Sequence, residues 1–331
     1  MTFQATTSNR IRKTVEKVKY YSKKAAGLLI TIFLVTLITF FTFNILPGNP
    51  ALAILGPEAD TAQIQALEQE FHLDQPLYTR YLTWLKGVCR GDLGFSYRYG
   101  QKVSLVISKA FGVTFSLGIF SLVLTVLLGL PFGIILGHFQ RKRTIKILEA
   151  LNQVWLSTPA FCTAILLIVV FTVILNIFPS MGYVPFFQNP GECIRTLFLP
   201  ALSLSFGSSA ILARYLKTDF TMQTSLDYVR TAKSKGLSTF RIVFGHILRN
   251  SLICVVTTLG LIVTDILGGS IIIENVFSLP GIGRLIATSI TSRDFPLIQG
   301  LVLYLAFITV AVNFLVDVLY RIIDPRIRSG E

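Results

Sequence analysis

The chain has 331 residues, 52% of them hydrophobic and only 14% charged. A soluble domain carries about 25% charge, so an ordinary soluble fold is excluded. The formal net charge is +13, but the basic residues collect in a few segments between apolar runs, which reads as membrane topology rather than nucleic-acid binding. The three histidines and four cysteines show neither metal-ligand nor CxxC spacing, so neither a metal nor another cofactor is expected.

In chain order, residues 1–26 form a basic tail with Arg10, Arg12, Lys13, Lys17, Lys19, Lys23 and Lys24. Six apolar runs follow, near Gly27–Leu46, Thr114–Gly137, Leu156–Phe178, Leu197–Leu216, Leu252–Ile273 and Leu297–Ile322. Each is long enough to cross ~30 Å of hydrocarbon, which takes roughly 20 residues. The prediction is an all-α membrane protein with about six transmembrane helices over residues 27–323. Ala51-Leu52-Ala53 mimics a signal-peptide cleavage site, but the first run is longer than a signal's apolar core, and an uncleaved span is expected. Gly129, Pro131, Pro159, Pro200, Gly260 and Gly268 fall inside the runs, where neighbouring helices can satisfy freed backbone groups.

Between the first two runs lies the segment Pro47–Val113, residues 47–113. Ile64, Leu67 and Phe71 predict a helix over Thr61–Phe71, and Leu77, Tyr81 and Leu85 a second over Pro76–Lys86. A segment this small with so few apolar anchors is expected to cap the membrane domain rather than fold alone. Lysine and arginine concentrate in the tail, in the second loop (Arg141, Lys142, Arg143, Lys146), between the fourth and fifth runs, and at the end (Arg321, Arg326, Arg328). By the positive-inside rule both termini, including the tail at residues 324–331, are cytoplasmic, and residues 47–113 are outside. Cys162 and Cys254 fall in spans; Cys89 and Cys193 fall outside, and a bond between them stays open.

The polar stretch within residues 217–250 carries the strongest functional signal. Asp227 to Arg249 reads DYVRTAKSKGLSTFRIVFGHILR. Tyr228 and Ala232 share a face at i, i+4. Gly236 can adopt φ > 0 and turn the chain, and Ser238 can cap a second helix. Phe240, Val243, Phe244, Ile247 and Leu248 then form an amphipathic stripe. The expectation is a helical hairpin at a membrane surface with a polar face free for a partner; periodicity alone leaves a solvated basic loop open. Two acids lie inside predicted spans, Asp265 and Asp317. Such acids usually face an interior or a cavity. Asp317 has Arg321 at i+4 as a natural partner. Asp265 has none near in sequence, and either lines a pathway or pairs with a partner subunit.

No phosphate-binding G-x-x-x-x-G-K-[ST] loop, G-x-S-x-G elbow or H-E-x-x-H motif is present, so no catalytic residue is assigned. The hairpin resembles the cytoplasmic "EAA" loop of ATP-binding-cassette importer permeases, with Thr231, Ala232, Gly236 and Leu237 in the core positions. The resemblance extends to Leu46-Pro47-Gly48-Asn49-Pro50; to Leu73-Asp74-Gln75-Pro76-Leu77-Tyr78, Tyr81, Trp84-Leu85, Gly91-Asp92-Leu93-Gly94 and Ser96-Tyr97; to Glu274 through Gly283 with Arg293-Asp294-Phe295-Pro296 and Gln299-Gly300; and to Asp324-Pro325-Arg326-Ile327-Arg328. On these residues, from about Thr36 to Arg328, the chain is similar to the permeases of the oligopeptide, dipeptide and nickel group, with a type I importer fold. Asn49 and Lys109 to Thr114 depart from the group's usual pattern. The Gly and Pro of these motifs also read simply as turn chemistry, Pro280-Gly281 making a tight turn.

The resemblance implies a membrane subunit importing peptides across a bacterial cytoplasmic membrane, with nickel or another small ligand as the alternative cargo. It implies a second permease subunit, two separate ATPase subunits and an extracytoplasmic peptide-binding protein as partners. It assigns ATPase coupling to Asp227, Tyr228, Arg230, Thr231, Ala232, Lys235, Gly236 and Leu237; Asp265, as the acid inside a span with no partner near in sequence, is the pathway candidate. A channel or a secondary transporter acting alone is the rival class; it calls for charge relays or inverted repeats, which the sequence does not show.

Overall fold

The structure is a computed structural model, and it describes residues 26–43, 59–70, 75–140 and 142–323. Leu46-Pro47-Gly48-Asn49-Pro50, Leu73-Asp74 and Asp324 through Arg328 lie outside the described residues, as do the side chains of Asp317 and Arg321. Among the described residues, five helices are long and apolar enough to cross a membrane, or six if one bent pair counts as a single span. Two compact units are distinguished: residues 1–105 with 289–310, and residues 106–288 with 311–331.

In the first unit, α1 (Ala26–Phe43) is the first apolar run. The expected short helices follow as α2 (Thr61–Glu70) and α3 (Leu77–Cys89). Phe40 of α1 packs against Tyr81 and Trp84 of α3 at 5.3 and 5.8 Å between ring centroids, and Tyr81 Oη meets Thr36 Oγ1 at 3.1 Å. A two-stranded hairpin, β1 (Phe95–Ser96) and β2 (Gln101–Lys102), leads into the next long helix. Buried Asp294 organises this loop. Its carboxylate accepts hydrogen bonds from Ser96 Oγ (2.5 Å) and the Arg98 and Tyr97 amides (3.1 and 3.3 Å). It also accepts from the Leu297 amide at 3.3 Å, in the first turn of the last helix, where a negative group suits the helix dipole. Two motifs nearly 200 residues apart are thereby tied together. Burial pushes the Tyr97 hydroxyl up to about 12, Arg80 drawing it down and Asp294 adding to the rise.

The long helix α4 (Val103–His138) begins eleven residues before the predicted span. Residues 47–113 are therefore not all loop: the last turns before Thr114 are already α4. The third predicted span, Leu156–Phe178, is also corrected. Here α5 (Arg143–Ser157) and α6 (Ala160–Leu167, widening into a π-helical stretch Ile168–Ile174) meet at 101° across Thr158-Pro159. Pro159 sits at the break because proline cannot continue a helix from the preceding turn. Cys89 is an exposed free thiol, and Cys193 is a buried one.

The centre of the second unit is α7 (Pro190–Thr224), with 72% of its apolar window buried against 17–33% for the other long helices. It packs on α5, α6 and α10. Its buried Ser203, Ser205 and Ser209 donate back to carbonyls of their own helix, so small polar side chains are buried without loss and helices approach closely. Along α4, Gly129, Gly133 and Gly137 face α7 at every fourth residue: a Cβ added there would lie 3.0 Å from Leu212 Cδ2, 3.0 Å from Ala213 Cα and 2.8 Å from Phe220 Cδ1. Asn152 of α5 donates to the Ala210 carbonyl at 3.2 Å, and Glu149 pairs with Lys217 at 2.6 Å.

The chain continues through α8 (Asp227–Ser234), the short α9 (Thr239–Ile242), a π-helical turn Val243–Ile247, and α10 (Leu248–Val276). A further helix, α11 (Ile282–Thr291), precedes α12 (Phe295–Ile323), in the interval between the fifth and last apolar runs where the sequence predicts no helix.

Candidate functional site

The polar stretch folds from α8 outward. Gly236 has φ +73°. Its amide donates to Lys233 O at 2.9 Å, and the Leu237 amide donates to Ala232 O at 3.3 Å. This paired bonding past a left-handed glycine is the Schellman ending of a helix, and a hydrophobic contact between the residue beyond the glycine and the last turn completes it. Leu237 supplies that contact against Val229 and Ala232. Ser238 Oγ then accepts from the Arg241 amide at 3.4 Å, capping α9 as expected.

Two expectations change. The hairpin does not span residues 217–250: residues 217–224 finish α7, and the second arm runs without a break from Thr239 to Val276. The turn proper is α8 with its two short connections. The predicted stripe is also rotated. Ile242, Val243 and Ile247 are buried, whereas Phe240 and Phe244 are 71% and 47% exposed, their tilted rings 4.5 Å apart between centroids. The π-helical turn over Val243–Ile247 shifts the register of the faces, which a regular helical period does not anticipate. Buried Val229, also missed in the sequence, lies one residue from Tyr228; its three-residue step to buried Ala232 is the legible signal.

The structure brings the coupling candidates together as two faces of one short helix. Val229, Ala232 and Leu237 pack with Phe220, Ile242, Val243 and Ile247. Tyr228 is half-buried, and its hydroxyl donates to Gln223 Oε1 at 2.9 Å. Asp227, Arg230, Thr231, Lys235 and Gly236 are exposed on the outer side. Arg230 pairs with Asp227 at 3.5 Å, an exposed pair of little energetic weight. The result is a knob with two faces: an apolar underside packed on Phe220, and an exposed polar upper surface. Gly137 of α4 closely approaches Phe220, and Phe220 in turn packs with the underside of the knob.

Beneath the knob is a cavity of about 520 Å³ lined by Lys142, Lys233, Thr224, Val229, Leu237 and residues of the α4 end. A smaller one of about 260 Å³ lies against Phe240 and Phe244.

Asp265 stands apart from the knob, midway along α10. It is exposed and makes no hydrogen bond or ion pair among the described residues. Thr257, Leu261, Gly268 and Ile272 share its exposed face at steps of three and four. The acid is thus presented outward from this chain.

At the other end of α10, wholly buried Glu274 was read only as the start of a loop motif. Its carboxylate accepts from Thr114 Oγ1 at 2.6 Å and from the Gly283 amide at 2.7 Å, and Thr114 Oγ1 in turn accepts from the Ile282 amide at 2.9 Å. The Gly281 amide donates to Leu279 O at 2.9 Å around Pro280, the tight turn the sequence suggested. The left-handed residue is Ser278, φ +55°, not Gly281. The glycines serve close approach instead: a Cβ at Gly281 would lie 2.3 Å from Glu274 Cδ, and one at Gly283 2.3 Å from Ile271 Cα.

Residues 129–329 match the family model for the binding-protein-dependent transport system inner membrane component, and residues 17–118 match the model for the N-terminal part of such membrane components. A putative peptide transport system permease protein of Brucella abortus (strain 2308) is 37% identical over 92% of this chain and 98% of its own length. The glutathione transport system permease protein GsiC of Escherichia coli (strain K12) is 37% identical over 93% of this chain and 98% of its own. A chain of the MetNI methionine ABC transporter in an inward-facing conformation superposes with a TM-score of 0.56 at 15% identity, covering 66% of this chain and 97% of that one; this similarity concerns the fold.

Proposed function

Because this chain belongs to the family of binding-protein-dependent transport system inner membrane components, we propose that it is the membrane-spanning subunit of a peptide importer whose knob at α8 couples it to a separate ATPase. Peptide cargo is supported by the peptide and glutathione permeases that share its sequence over nearly the full length. In this reading Asp227, Tyr228, Arg230, Thr231, Ala232, Lys235, Gly236 and Leu237 form the ATPase-coupling element. The observation that carries it is the two-faced knob: its underside packs on Phe220 of α7, and its upper surface is polar and exposed.

The mechanism is alternating access. A binding protein delivers cargo on the outer side. Two ATPase subunits close on ATP and move the knobs of two paired permeases. Each knob carries its displacement through Phe220 into the contact between α4 and α7. Two sites that bias one element are coupled reciprocally, which is what linking hydrolysis to pathway opening requires. The basic residues put both termini and the knob on the cytoplasmic side. Asp265, on an exposed face of α10, lines the pathway or meets the second permease, because an ionised group in hydrocarbon costs roughly 2.5–3.5 kcal/mol on insertion scales.

The test is Gly236. Its Cβ position is open, with nothing within 4 Å, so a substitution is penalised by φ +73° alone. Valine there should cost about 1–2 kcal/mol or more, whereas asparagine tolerates this conformation. Gly236→Val is expected to lower uptake and ATPase co-purification while the protein still reaches the membrane, and Gly236→Asn to retain most of both. Normal uptake and complex in Gly236→Val would defeat the coupling assignment.

A further inference from the structure

The two cavities beneath the knob adjoin, sharing His138, Phe139, Thr239 and Val243. The larger contributes two ammonium groups, Lys142 and Lys233, and no carboxylate to its lining. The smaller is almost wholly apolar and ends on the adjacent, exposed Phe240 and Phe244. A basic pocket therefore opens directly onto an apolar groove. We propose that this surface binds an anionic phospholipid of the surrounding bilayer, the phosphate between Lys142 and Lys233 and an acyl chain along Phe240 and Phe244.

Three features favour a lipid over a protein occupant. First, the groove lies at the ends of two helices that are long and apolar enough to cross a membrane. The apolar run of α4 extends to Gly137, and its Ile134 and Ile135 line the groove; Phe240 belongs to the same continuous helix that crosses as Thr239–Val276. Second, the polarity is graded along the surface in the order of a phospholipid: apolar where the chains lie, cationic immediately beyond. Lys142 already places its ammonium 4.6 Å from the Phe139 ring centroid, at that boundary. Third, charge complementarity is one-sided, and basic pockets between membrane helices on the cytoplasmic side suit anionic headgroups. The site lies between the end of α4 and the underside of α8, the two elements whose relation transmits motion, so an occupied pocket would brace the knob. The outer face of α8 stays free. The proposal depends on this local geometry and not on the cargo.

The experiment uses the intact transporter complex in nanodiscs of phosphatidylethanolamine and phosphatidylglycerol. Phe240→p-benzoylphenylalanine is photoactivated, and the adducts are identified by mass spectrometry. Phosphatidylglycerol adducts should exceed their share of the bilayer, with a preference of roughly fivefold per lysine. Lys142→Gln with Lys233→Gln should return the adducts to the bulk ratio. If that double variant fails to assemble, the same preference should fall in the assembled complex as salt is raised, since headgroup attraction is screened. Adducts at the bulk lipid ratio, enrichment indifferent to both the lysines and salt, or cross-links chiefly to an ATPase or permease subunit would each overturn the proposal.

Discussion

The junction of Glu274 and Gly281 allows a quantitative test of how the C-terminal end of α10 is held. The Glu274 carboxylate is wholly buried and donor-matched on both oxygens, by Thr114 and by the Gly283 amide at 2.6 and 2.7 Å. In Gly281→Ala the new methyl carbon would lie 2.3–2.5 Å from all three carboxylate atoms. Ordinary contact needs roughly 1 Å more, about the displacement that breaks both hydrogen bonds. Each bond to a charged group contributes about 1.5–3 kcal/mol, so the substitution should cost about 3–6 kcal/mol. Glu274→Ala also costs several kcal/mol, because buried donors lose their acceptor. The two changes should not add. Once the carboxylate is gone, the methyl at position 281 enters vacated space, and Gly281→Ala on the Glu274→Ala background should cost less than about 1 kcal/mol. The coupling, about 2–3 kcal/mol or more, lies at the upper end of values for residues in contact. The assay is the midpoint of thermal inactivation of the purified complex for both single variants and the double variant. The double variant should melt close to Glu274→Ala, and at or above Gly281→Ala. Additive losses would refute the view that Gly281 is glycine because of Glu274.

Other outcomes follow from the same geometry. Gly137→Leu should lower ATPase co-purification and uptake by displacing Phe220 from beneath the knob; even one added methyl meets Phe220 at 2.8 Å, and overpacking of this kind costs about 1–3 kcal/mol. Gly118→Leu, on the same helix with open space at its Cβ, is the control and should leave both intact. Asp265→Asn should lower transport with assembly preserved if the acid meets cargo, or lose assembly first if it pairs with the second permease; no change in either would make the residue incidental. In intact cells of a cysteine-free strain, an impermeant thiol reagent should label a cysteine placed at Gln65 and not one at Ser234, and the reverse pattern would overturn the assigned orientation.

What the sequence made legible depended on whether the cause was local. Gly236 could be recognised because a left-handed helix end is encoded within a few residues: a glycine, an apolar residue after it and a capping serine. Thr61 and Leu77 open helices near where their own apolar spacing put them. The reading faltered where the cause was distant. Gly281 and Gly283 looked like turn residues, yet their need for glycine is set by Glu274 and Ile271 across the fold. The positive φ of Ser278 and Arg293 had no signal, since neither is a residue that favours it. The π-helical turn that exposes Phe240 and Phe244 kept the composition of an amphipathic helix while shifting its face. The glycines at 129, 133 and 137 did have a legible pattern, every fourth residue on one helix face, but only α7 reveals what approaches them. That distinction bears on function. The outer surface of the knob is written locally and is open to direct reading, whereas its connection to the membrane helices passes through Phe220 and Gly137, residues linked only by the fold. A coupling element needs both: a surface a partner can recognise, and an underside whose position is decided elsewhere.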